Sequence, residues 1–445
     1  MKVKTLLILT AILAILVLSI IYVEKREERK EKFEGKLLTY NSSDINKVEL
    51  KRGGETIVFE KKDDSWEITT PFKTKADKYT VDRLVEDFSD LKIERKVEEN
   101  SRDLKKYGLE PPQRILKLWK KDGSSVSVYV GIENPIDGAL YAKKPEENIV
   151  YLIPSFLKSG LDKTLFDFRN KKIFEFEKDK VNRIIWESEG KRWNAYKKED
   201  EWYLDEPVKA LADKGKIDDL LYSITGAEAK GFAVEDYKEE QLKDYSLDKP
   251  KIKIKIMGER EMEISAGLKE EKDKKSVYAI SSLSKIIAEL PETFISEIDK
   301  KPEDIREKSV AVFWSFDVQR FSIVKEGKEY LFEKDKQDKW EMKKPEKKEI
   351  DGTKINDFLR KIEDLEAKEF IDNPVSLKDY GLEKPNFQFK IVTKERGQEK
   401  TIEILTGKEE NDKVYVKNKR FNYIFVVDNS FLKEIPKNFD EWKKK

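Results

Sequence analysis

Three nearly identical nine-residue stretches recur along this chain. They read LKKYGLEPP at residues 104–112, LKDYSLDKP at 242–250 and LKDYGLEKP at 377–385. Upstream of each copy stand a tryptophan, a proline five places later and an aspartate six places after that: Trp66, Pro71 and Asp77; Trp202, Pro207 and Asp213; Trp340, Pro345 and Asp351. Self-similarity at a fixed spacing is typical of tandem structural units. Because the chain has only eight Trp, the pattern predicts three similar domains.

A helix pattern follows each of these aspartates. Asp is a preferred N-cap residue, and apolar side chains at spacing 0, 3, 4, 7 give a helix one apolar face. The apolar sets are Val81, Leu84, Val85 and Phe88; Ile217, Leu220, Leu221 and Ile224; Ile355, Phe358, Leu359 and Ile362. Runs before each Trp and after each nine-residue stretch resemble antiparallel strands with one buried face. The expected fold class is α+β, with three tandem repeats of antiparallel strands, each with one amphipathic helix.

The predicted domain boundaries are 1–35 for an N-terminal anchor and stalk, then 36–171, 172–308 and 309–445 for the repeats. No long linker rich in Gly, Ser or Pro separates the repeats, so we expect them to pack directly on one another. A glycine follows the first strand after each nine-residue stretch and is expected in a turn, at Gly131, Gly267 and Gly407. Beyond it the second repeat shows one apolar run where the others show two, which leaves the placing of Tyr278 open.

The nine-residue stretch suits either a turn or a ligand-binding loop. Gly108 and Gly381 permit a left-handed conformation, although Ser246 occupies this position in the second copy, and the closing proline favours an extended chain. Three similar units need the same turn three times, whereas chemistry rarely needs three copies, so we interpret the stretch as structural. Its other signature residues are Tyr107, Pro112, Tyr245, Pro250, Tyr380 and Pro385.

The amino-acid composition excludes several common kinds of catalytic and metal-binding site. The chain has no Cys and no His, so disulfides, thiolate metal sites and Ser-His-Asp triads cannot be built from it. Its 91 basic and 90 acidic side chains cancel to +1, which gives no concentrated attraction to nucleic acid. Abundant Lys and Glu without Cys is also typical of proteins from hot environments. We therefore predict a non-enzymatic protein with no cofactor, no metal site and no nucleic-acid partner.

Two acidic patterns are the remaining candidates for chemistry. Neighbouring carboxylates of the kind used by glycosidases occur at Asp63–Asp64, Asp218–Asp219 and Glu409–Glu410. A run that offers oxygen ligands to a hard cation comprises Glu333, Asp335, Asp338 and Glu341. Acidic residues are so frequent here that such neighbours arise by chance, and the run lacks the glycine of a calcium loop. We interpret both patterns as solvated turns.

The N-terminus predicts a membrane anchor. Residues 5–23, TLLILTAILAILVLSIIYV, are uncharged and mainly apolar, and a helix of this length at ~1.5 Å per residue crosses a ~30 Å hydrocarbon layer. A cleaved signal peptide is the alternative, but the run is longer than the usual apolar core and no small-x-small pattern precedes Glu24. Residues 24–32, EKREERKEK, are interpreted as a charged stalk. The basic residues after the span, taken alone, favour a cytoplasmic location for the repeats.

The chain resembles a family of membrane-anchored bacterial proteins that carry a repeated domain of unknown function. The resemblance covers essentially the whole chain and depends on the N-terminal span, Trp66 with Pro71, Ala76-Asp77, YGLEPP at 107–112, and Arg169 with Lys171; Ser246 departs from it. Members are often encoded beside the permease and ATPase of an ABC-type export system related to gliding-motility auxiliary components. The resemblance implies a single-pass protein of the cytoplasmic membrane, with its repeats outside and near a transporter. It transfers no functional residue.

The leading hypothesis is therefore a non-enzymatic accessory or scaffold module of an ABC-type transport system. A spacer that binds envelope glycan or lipid is the second hypothesis, and a carboxylate-based hydrolase is the third and weakest. Five tryptophans lie outside the repeat pattern: Trp119, Trp186, Trp193, Trp314 and Trp442. An exposed one among them would mark an interface or a glycan platform, although a Trp beside strands is more often core. The sequence leaves the oligomeric state and the transported substrate open.

Overall fold

The computed structural model describes residues 35–272, 274–395 and 397–443. They form three sheets of nine antiparallel strands with the same strand order. The fold is thus three tandem repeats of one mainly β unit, in which helices are fewer than an α+β class suggests. The chain divides into two compact units between Lys171 and Lys172, and the second unit holds the second and third sheets.

The strands are numbered along the chain. In the first repeat they are β1 (Ile45–Arg52), β2 (Glu55–Lys62), β3 (Ser65–Thr70), β4 (Thr74–Lys75), β5 (Arg95–Glu98), β6 (Arg114–Lys120), β7 (Ser125–Glu133), β8 (Leu140–Lys143) and β9 (Val150–Ile153). In the second they are β10 (Arg183–Ser188), β11 (Lys191–Lys198), β12 (Glu201–Glu206), β13 (Ala210–Leu211), β14 (Gly231–Val234), β15 (Ile252–Met257), β16 (Glu261–Glu271), β17 (Lys274–Ser281) and β18 (Ile287–Leu290). In the third they are β19 (Val318–Lys325), β20 (Lys328–Lys334), β21 (Trp340–Lys344), β22 (Lys348–Glu349), β23 (Glu369–Ile371), β24 (Phe387–Glu395), β25 (Gln398–Glu410), β26 (Lys413–Asn418) and β27 (Ile424–Asp428).

The helices are short except for one in each repeat. They are α1 (Lys78–Ser89), α2 (Leu157–Leu161), α3 (Leu165–Phe168), α4 (Lys214–Gly226), α5 (Thr293–Ile298), α6 (Pro302–Ile305) and α7 (Gly352–Glu363). The 3-10 turns are Ser42–Asp44, Lys105–Tyr107, Lys178–Lys180, Glu239–Tyr245, Ser315–Asp317, Lys378–Tyr380, Asn429–Glu434 and Phe439–Trp442. The long helices α1, α4 and α7 are those that the spacing predicts, and their buried residues are the twelve apolar positions of the pattern.

The strand order explains how each repeat builds its core. In the first sheet the order is β4-β3-β2-β1-β6-β7-β8-β9-β5, so β4 and β5 lie at opposite edges. Helix α1 connects those two edges and therefore crosses one face of the sheet. The apolar side of α1 packs against the buried residues of β1 to β3 and β6 to β9, and together they form a single hydrophobic core. The second and third repeats repeat this arrangement with α4 and α7.

Two details differ from the sequence expectations. Gly131, Gly267 and Gly407 lie inside β7, β16 and β25 rather than in turns. The second repeat does have a second strand after its glycine, because Tyr278 lies on β17 and β18 follows it. Three of the four β18 residues are buried, and a short strand buried on both faces lacks the alternation by which a strand is recognised.

The second and third repeats pack directly on each other, as expected. The Arg306 guanidinium, on the last residues of the second repeat, forms two hydrogen bonds to the Asp372 carboxylate, at 3.0 and 2.7 Å. It also lies over the rings of Phe370 and Tyr423, with its central carbon 3.6 and 4.5 Å from the ring centroids. A buried guanidinium needs this pairing because an unpaired buried charge is strongly destabilising. The contact therefore joins the two repeats.

The predicted membrane span at residues 5–23 and the charged stalk lie outside the described residues. Across the described ranges, no helix is both long enough and apolar enough to cross a membrane.

Candidate functional site

The signature tryptophans hold each long helix against its sheet. Trp66, Trp202 and Trp340 are all buried on the first strand of a small edge hairpin. The Trp66 Nε1 donates a hydrogen bond of 2.7 Å to Asp82 on α1, and the Trp340 Nε1 donates one of 2.9 Å to Asn356 on α7. The three signature prolines, Pro71, Pro207 and Pro345, follow cis peptide bonds in the turn after the Trp-bearing strand. These contacts are within one repeat, so they serve the fold.

The signature aspartates cap the long helices. The Asp77, Asp213 and Asp351 side chains accept hydrogen bonds from Thr80, Lys216 and Thr353 amides, at 2.8, 3.1 and 3.0 Å. Their own amides donate to Phe168, Ile305 and Trp442 carbonyls, at 2.8, 2.7 and 2.8 Å. The end of each repeat therefore returns to the start of its long helix. Trp442 holds the position of Phe168 and Ile305, which sequence reasoning missed because the three residue types differ.

The nine-residue stretch crosses the sheet face opposite the long helix. It runs from edge strand β5 to central strand β6 in the first repeat and lies across β7 and β8. Gly108, Ser246 and Gly381 all adopt the left-handed conformation, at φ of 64, 59 and 70°. In the second repeat the stretch packs against β17 and β18 and forms a small apolar cluster of its own. The stretch is therefore the crossover that covers the second face.

The tyrosine of each stretch packs on the tyrosine of a facing strand. Tyr107 meets Tyr141, Tyr245 meets Tyr278, and Tyr380 meets Tyr415, with ring centroids 4.7, 4.9 and 5.1 Å apart. The strand glycines permit this approach. A Cβ at Gly131 or Gly407 would lie 2.0 Å from the carbonyl oxygen of Tyr107 or Tyr380, and at Gly267 it would lie 2.4 Å from that of Ser246. The closing prolines Pro112, Pro250 and Pro385 then lead into the next strand.

The neighbouring carboxylates do not converge on a common point. Asp63 lies in the β2–β3 turn, and Asp218 on α4 pairs with Lys214 one turn earlier. At the end of β25, Glu409 accepts a hydrogen bond of 3.0 Å from Asn429, whereas Glu410 pairs with Lys408 at 2.6 Å. Neighbouring residues of a strand face opposite ways, so Glu409 and Glu410 cannot flank one bond.

The acidic run of the third repeat is already engaged. Glu333 pairs with Arg320 at 3.3 Å and Glu341 with Lys343 at 2.5 Å. The Asp335 carboxylate accepts hydrogen bonds from two backbone amides of its own turn, which lower its pKa. Across residues 35–272, 274–395 and 397–443, no group of three or more His, Cys, Asp or Glu side chains is arranged to hold a metal ion.

The five tryptophans outside the repeat pattern differ in how much of the side chain is exposed to solvent. Trp186 and Trp193 stack on each other in the core of the second repeat, and their indoles donate hydrogen bonds to backbone carbonyls. Trp442 is buried as well, and Trp119 is half-buried between two lysines. Trp314 is 60 % exposed. It is therefore the tryptophan among these five that is free to contact another molecule.

Trp314 belongs to a short apolar ridge at the entry to the third sheet. Val312, Trp314 and Phe316 are 47, 60 and 70 % exposed, while Phe313 and Ser315 between them are buried. The Trp314 and Phe316 rings stack at 6.0 Å with an interplanar angle of 25°. We call these three side chains the Trp314 ridge.

The other repeats carry polar side chains at the same positions. Each of the three first strands is preceded by a 3-10 turn, and in each repeat exposed residues alternate with less exposed ones up to this turn. The matching exposed residues are Thr39, Asn41 and Ser43 in the first repeat and Glu175, Glu177 and Asp179 in the second. Because the fold forms this turn with polar residues twice, it does not require the Trp314 ridge. The ridge is thus a property of the third repeat alone, and exposed apolar patches commonly mark interaction sites.

Two charged groups touch the ridge segment, and both are occupied. Glu363 at the end of α7 accepts a hydrogen bond of 3.0 Å from the Ser315 amide. Lys334 on β20 donates one of 2.9 Å to the Phe316 carbonyl, and burial lowers the pKa of this ammonium group. The outer surface of the ridge is therefore apolar.

Clefts elsewhere on the described surface are open and lined by charges of both signs. One of about 720 Å³ in the first repeat is bordered by Lys51, Lys117, Glu49 and Tyr129, among others. Another of about 460 Å³ in the second repeat includes residues 248–251, at the end of the nine-residue stretch. Neither has the mainly apolar lining of a typical small-molecule site.

The repeated geometry has a counterpart among protein families. The family model described as "Domain of unknown function (DUF4340)" matches residues 66–203, 202–376 and 371–445. The chain belongs to the DUF4340 family. The first two DUF4340 matches begin at Trp66 and Trp202, which lie on the third strand of their sheets, and the third match begins at residue 371. No curated protein matches the chain.

The DUF4340 signature and the Trp314 ridge have different places in the fold. The signature residues recur in three copies and make contacts inside their own repeats, as the tryptophan, aspartate and tyrosine contacts do. The Trp314 ridge occurs once and faces outward. It is therefore the best candidate for a functional site in this DUF4340 protein.

Proposed function

We propose that this DUF4340 protein is a non-enzymatic accessory module of an ABC-type transport system. An N-terminal helix anchors it in the cytoplasmic membrane, and its three repeats lie outside and contact a transporter subunit. The single observation that carries the proposal is the exposed Trp314 ridge, present in one repeat of three. The apolar run at residues 5–23 supports the anchor, and the family resemblance supports the transporter and the orientation.

The chemistry of the ridge suits protein contact better than catalysis. Trp and other large aromatics supply much of the energy at protein interfaces because they bury a large area with few rotatable bonds. Among the carboxylates that a hydrolase would use, Asp218 and Glu410 pair with lysines and Glu409 accepts a hydrogen bond from Asn429. The three ridge side chains carry no charge, so they contribute binding energy and no reactive group.

Co-purification from native membranes tests the proposal. Tagged full-length protein is expected to bring down permease or ATPase subunits, and the double variant Trp314→Ser/Phe316→Ser is expected to lose them. Tyr79→Ser is the matched control, because Tyr79 is 82 % exposed on α1 of the first repeat and belongs to no ridge. Recovery of no transporter subunit by the wild-type protein in repeated experiments would count against the proposal.

Orientation has its own test. Protease added to intact protoplasts is expected to degrade residues 36–445 while cytoplasmic proteins survive. A protected domain would reverse the proposed location and remove the extracytoplasmic role.

A spacer that binds envelope glycan or lipid is the second candidate. The observation in its favour is the flat pair formed by Trp314 and Phe316, since sugar rings and lipid interfaces both pack on exposed aromatics. Sedimentation of the wild-type protein with purified cell wall or with lipid vesicles, lost in the Trp314→Ser/Phe316→Ser variant, would favour this function over the transporter.

A further inference from the structure

The backbone beneath the Trp314 ridge is extended and open. Trp314 has φ −105° and ψ 124°, which are strand values, and exposure alternates residue by residue from Ala311 to Phe316. Within the described residues, no hydrogen bond is donated by the amides of Val312, Phe313 or Trp314. In the first repeat the matching amide of Tyr40 does donate, to the Ser89 carbonyl at 3.0 Å. The two repeats therefore differ at the Phe313 amide alone, since the Thr39 and Asn41 amides, which match Val312 and Trp314, also donate no hydrogen bond within the described residues.

An open, extended segment with apolar side chains on its outer side has a specific use. Unpaired strand edges are templates for another chain, and proteins normally shield them with charges, prolines or covering loops. Residues 311–316, AVFWSF, contain no charge and no proline. Recognition by strand addition combines backbone hydrogen bonds with pockets or ridges for alternate side chains. The Trp314 ridge and the free amides provide both parts.

We propose that the segment Ala311–Phe316 binds an extended segment of the partner protein by β-strand addition. This inference rests on the proposed function, because it names the chemistry of the partner at the same site. The bound segment carries apolar residues at alternate positions, which pack on Val312, Trp314 and Phe316. It is uncharged along that side, because the ridge side chains on which it packs carry no charge to pair with it.

A lipid surface fits the same observations less well. Hydrocarbon offers no hydrogen-bonding partners, so irregular backbone facing lipid leaves its amides unsatisfied at a cost of several kcal/mol each. The amides of Val312 and Trp314 would meet that cost if the ridge inserted into a bilayer. A peptide strand supplies the acceptors that these amides lack.

Two peptide libraries test the proposal with the full chain in nanodiscs. One library holds nine-residue peptides with apolar residues at every second position, and the other holds peptides of the same composition with helical spacing. We expect enrichment from the alternating library alone. Selected peptides should bind the Trp314→Ser/Phe316→Ser variant at least about ten-fold more weakly than the wild type, the scale on which interface aromatics act. Tyr79→Ser should bind like the wild type.

Hydrogen exchange distinguishes strand addition from contact through side chains. Bound peptide should slow amide exchange at Val312 and Trp314 at least about ten-fold, since these two amides lie on one edge of the extended segment and backbone pairing protects amides that side-chain contact leaves exposed. The matching segment of the first repeat, residues 39–43, should exchange at an unchanged rate. Equal enrichment of both libraries, or binding without protection, would overturn the proposal. Protection of the same amides by protein-free anionic vesicles would overturn it too, in favour of lipid.

The two proposals fail separately. Transporter subunits that co-purify through Trp314 without amide protection would remove strand addition and leave the accessory role. Peptide-induced protection without co-purification would remove the transporter and leave a strand-binding site.

Discussion

Alanine at the strand glycines measures how tightly the nine-residue stretch lies on its sheet. A Cβ at Gly131 would lie 2.0 Å from the Tyr107 carbonyl oxygen, and real Cβ atoms essentially never come within 3.0 Å of another atom. The stretch or the strand must therefore move by about 1 Å or more, which is a case of overpacking. Gly407 faces the same 2.0 Å approach to Tyr380 in the third repeat, and Gly267 a looser 2.4 Å approach to Ser246.

The magnitude follows from the contacts that such a shift disturbs. Overpacking a well-packed site costs about 1–3 kcal/mol. Displacing Tyr107 also weakens its ring contact with Tyr141, worth about 0.5–1.5 kcal/mol, and its 2.7 Å hydrogen bond to Glu98, worth about 0.5–1.5 kcal/mol. Gly131→Ala and Gly407→Ala should therefore cost roughly 3 kcal/mol each, and Gly267→Ala less.

Gly226→Ala is the matched control. Gly226 is the last residue of α4, and a Cβ there would meet nothing within 4 Å. Because alanine favours helix, this change should leave the free energy of unfolding unchanged or raise it by up to about 1 kcal/mol.

The assay must report each repeat separately, since a chain of three repeats need not unfold in one step. Hydrogen exchange of the full chain across a urea series gives opening free energies for β6 to β8, β15 to β17 and β24 to β26. Opening free energies within about 0.5 kcal/mol of wild type for both Gly131→Ala and Gly407→Ala would refute the reasoning, because changes of that size are ordinary for surface positions.

Of three further predictions, the first two use hydrogen exchange and the third uses acid unfolding. Trp66→Phe should lower stability by about 1 kcal/mol more than Trp202→Phe, because the Trp66 indole donates to Asp82 while the Trp202 indole donates to no residue in the described ranges. Asp351→Ala should cost about 0.5–2 kcal/mol through loss of the α7 N-cap, and Asp351→Asn should be nearly neutral, in amide exchange across that helix. The hydrogen bond from Arg420 lowers the pKa of Glu201 from its ordinary 4.5 to about 2, so the stabilisation from this pair is complete above the higher value and is lost as pH falls toward the lower one. Acid unfolding of Glu201→Gln should lack that component, and identical acid profiles for variant and wild type would contradict it.

Local signals were sufficient for the repeat framework. The N-cap role of Asp77 and the buried side of α1 depend on residues within one or two turns of each other, and the structure confirms both. The same holds for α4 and α7. Helix and cap preferences act over short spans, so a sequence that contains them three times predicts them three times.

The roles of residues that contact distant parts of the chain are not predicted correctly from the sequence. Gly131 is expected in a turn because glycine usually marks one. It lies in β7 instead. Glycine is needed at this position because the backbone of Tyr107, 24 residues earlier in the chain, passes directly over it. Trp442 has no counterpart by residue type, but its carbonyl accepts the Asp351 amide just as that of Phe168 accepts the Asp77 amide. Neither contact has a local pattern from which it can be read.

The Trp314 ridge shows the same limit for function. In the sequence Trp314 is one of five tryptophans outside the repeat pattern, and nothing local distinguishes it from Trp186 or Trp193. Burial separates them, since the latter two stack inside the second core while Trp314 lies outside the third. The residues at the matching positions of the other two repeats, Asn41 and Glu177, are polar.

The number of repeats, the three long helices and the family can all be predicted from residue spacings along the chain. Tertiary structure alone decided that the nine-residue stretch covers the second face of each sheet. It also decided that Trp314, rather than another tryptophan, faces outward. The physical reason is that burial and close approach depend on which distant residues the folded chain brings together, and that information is absent from any single stretch of sequence.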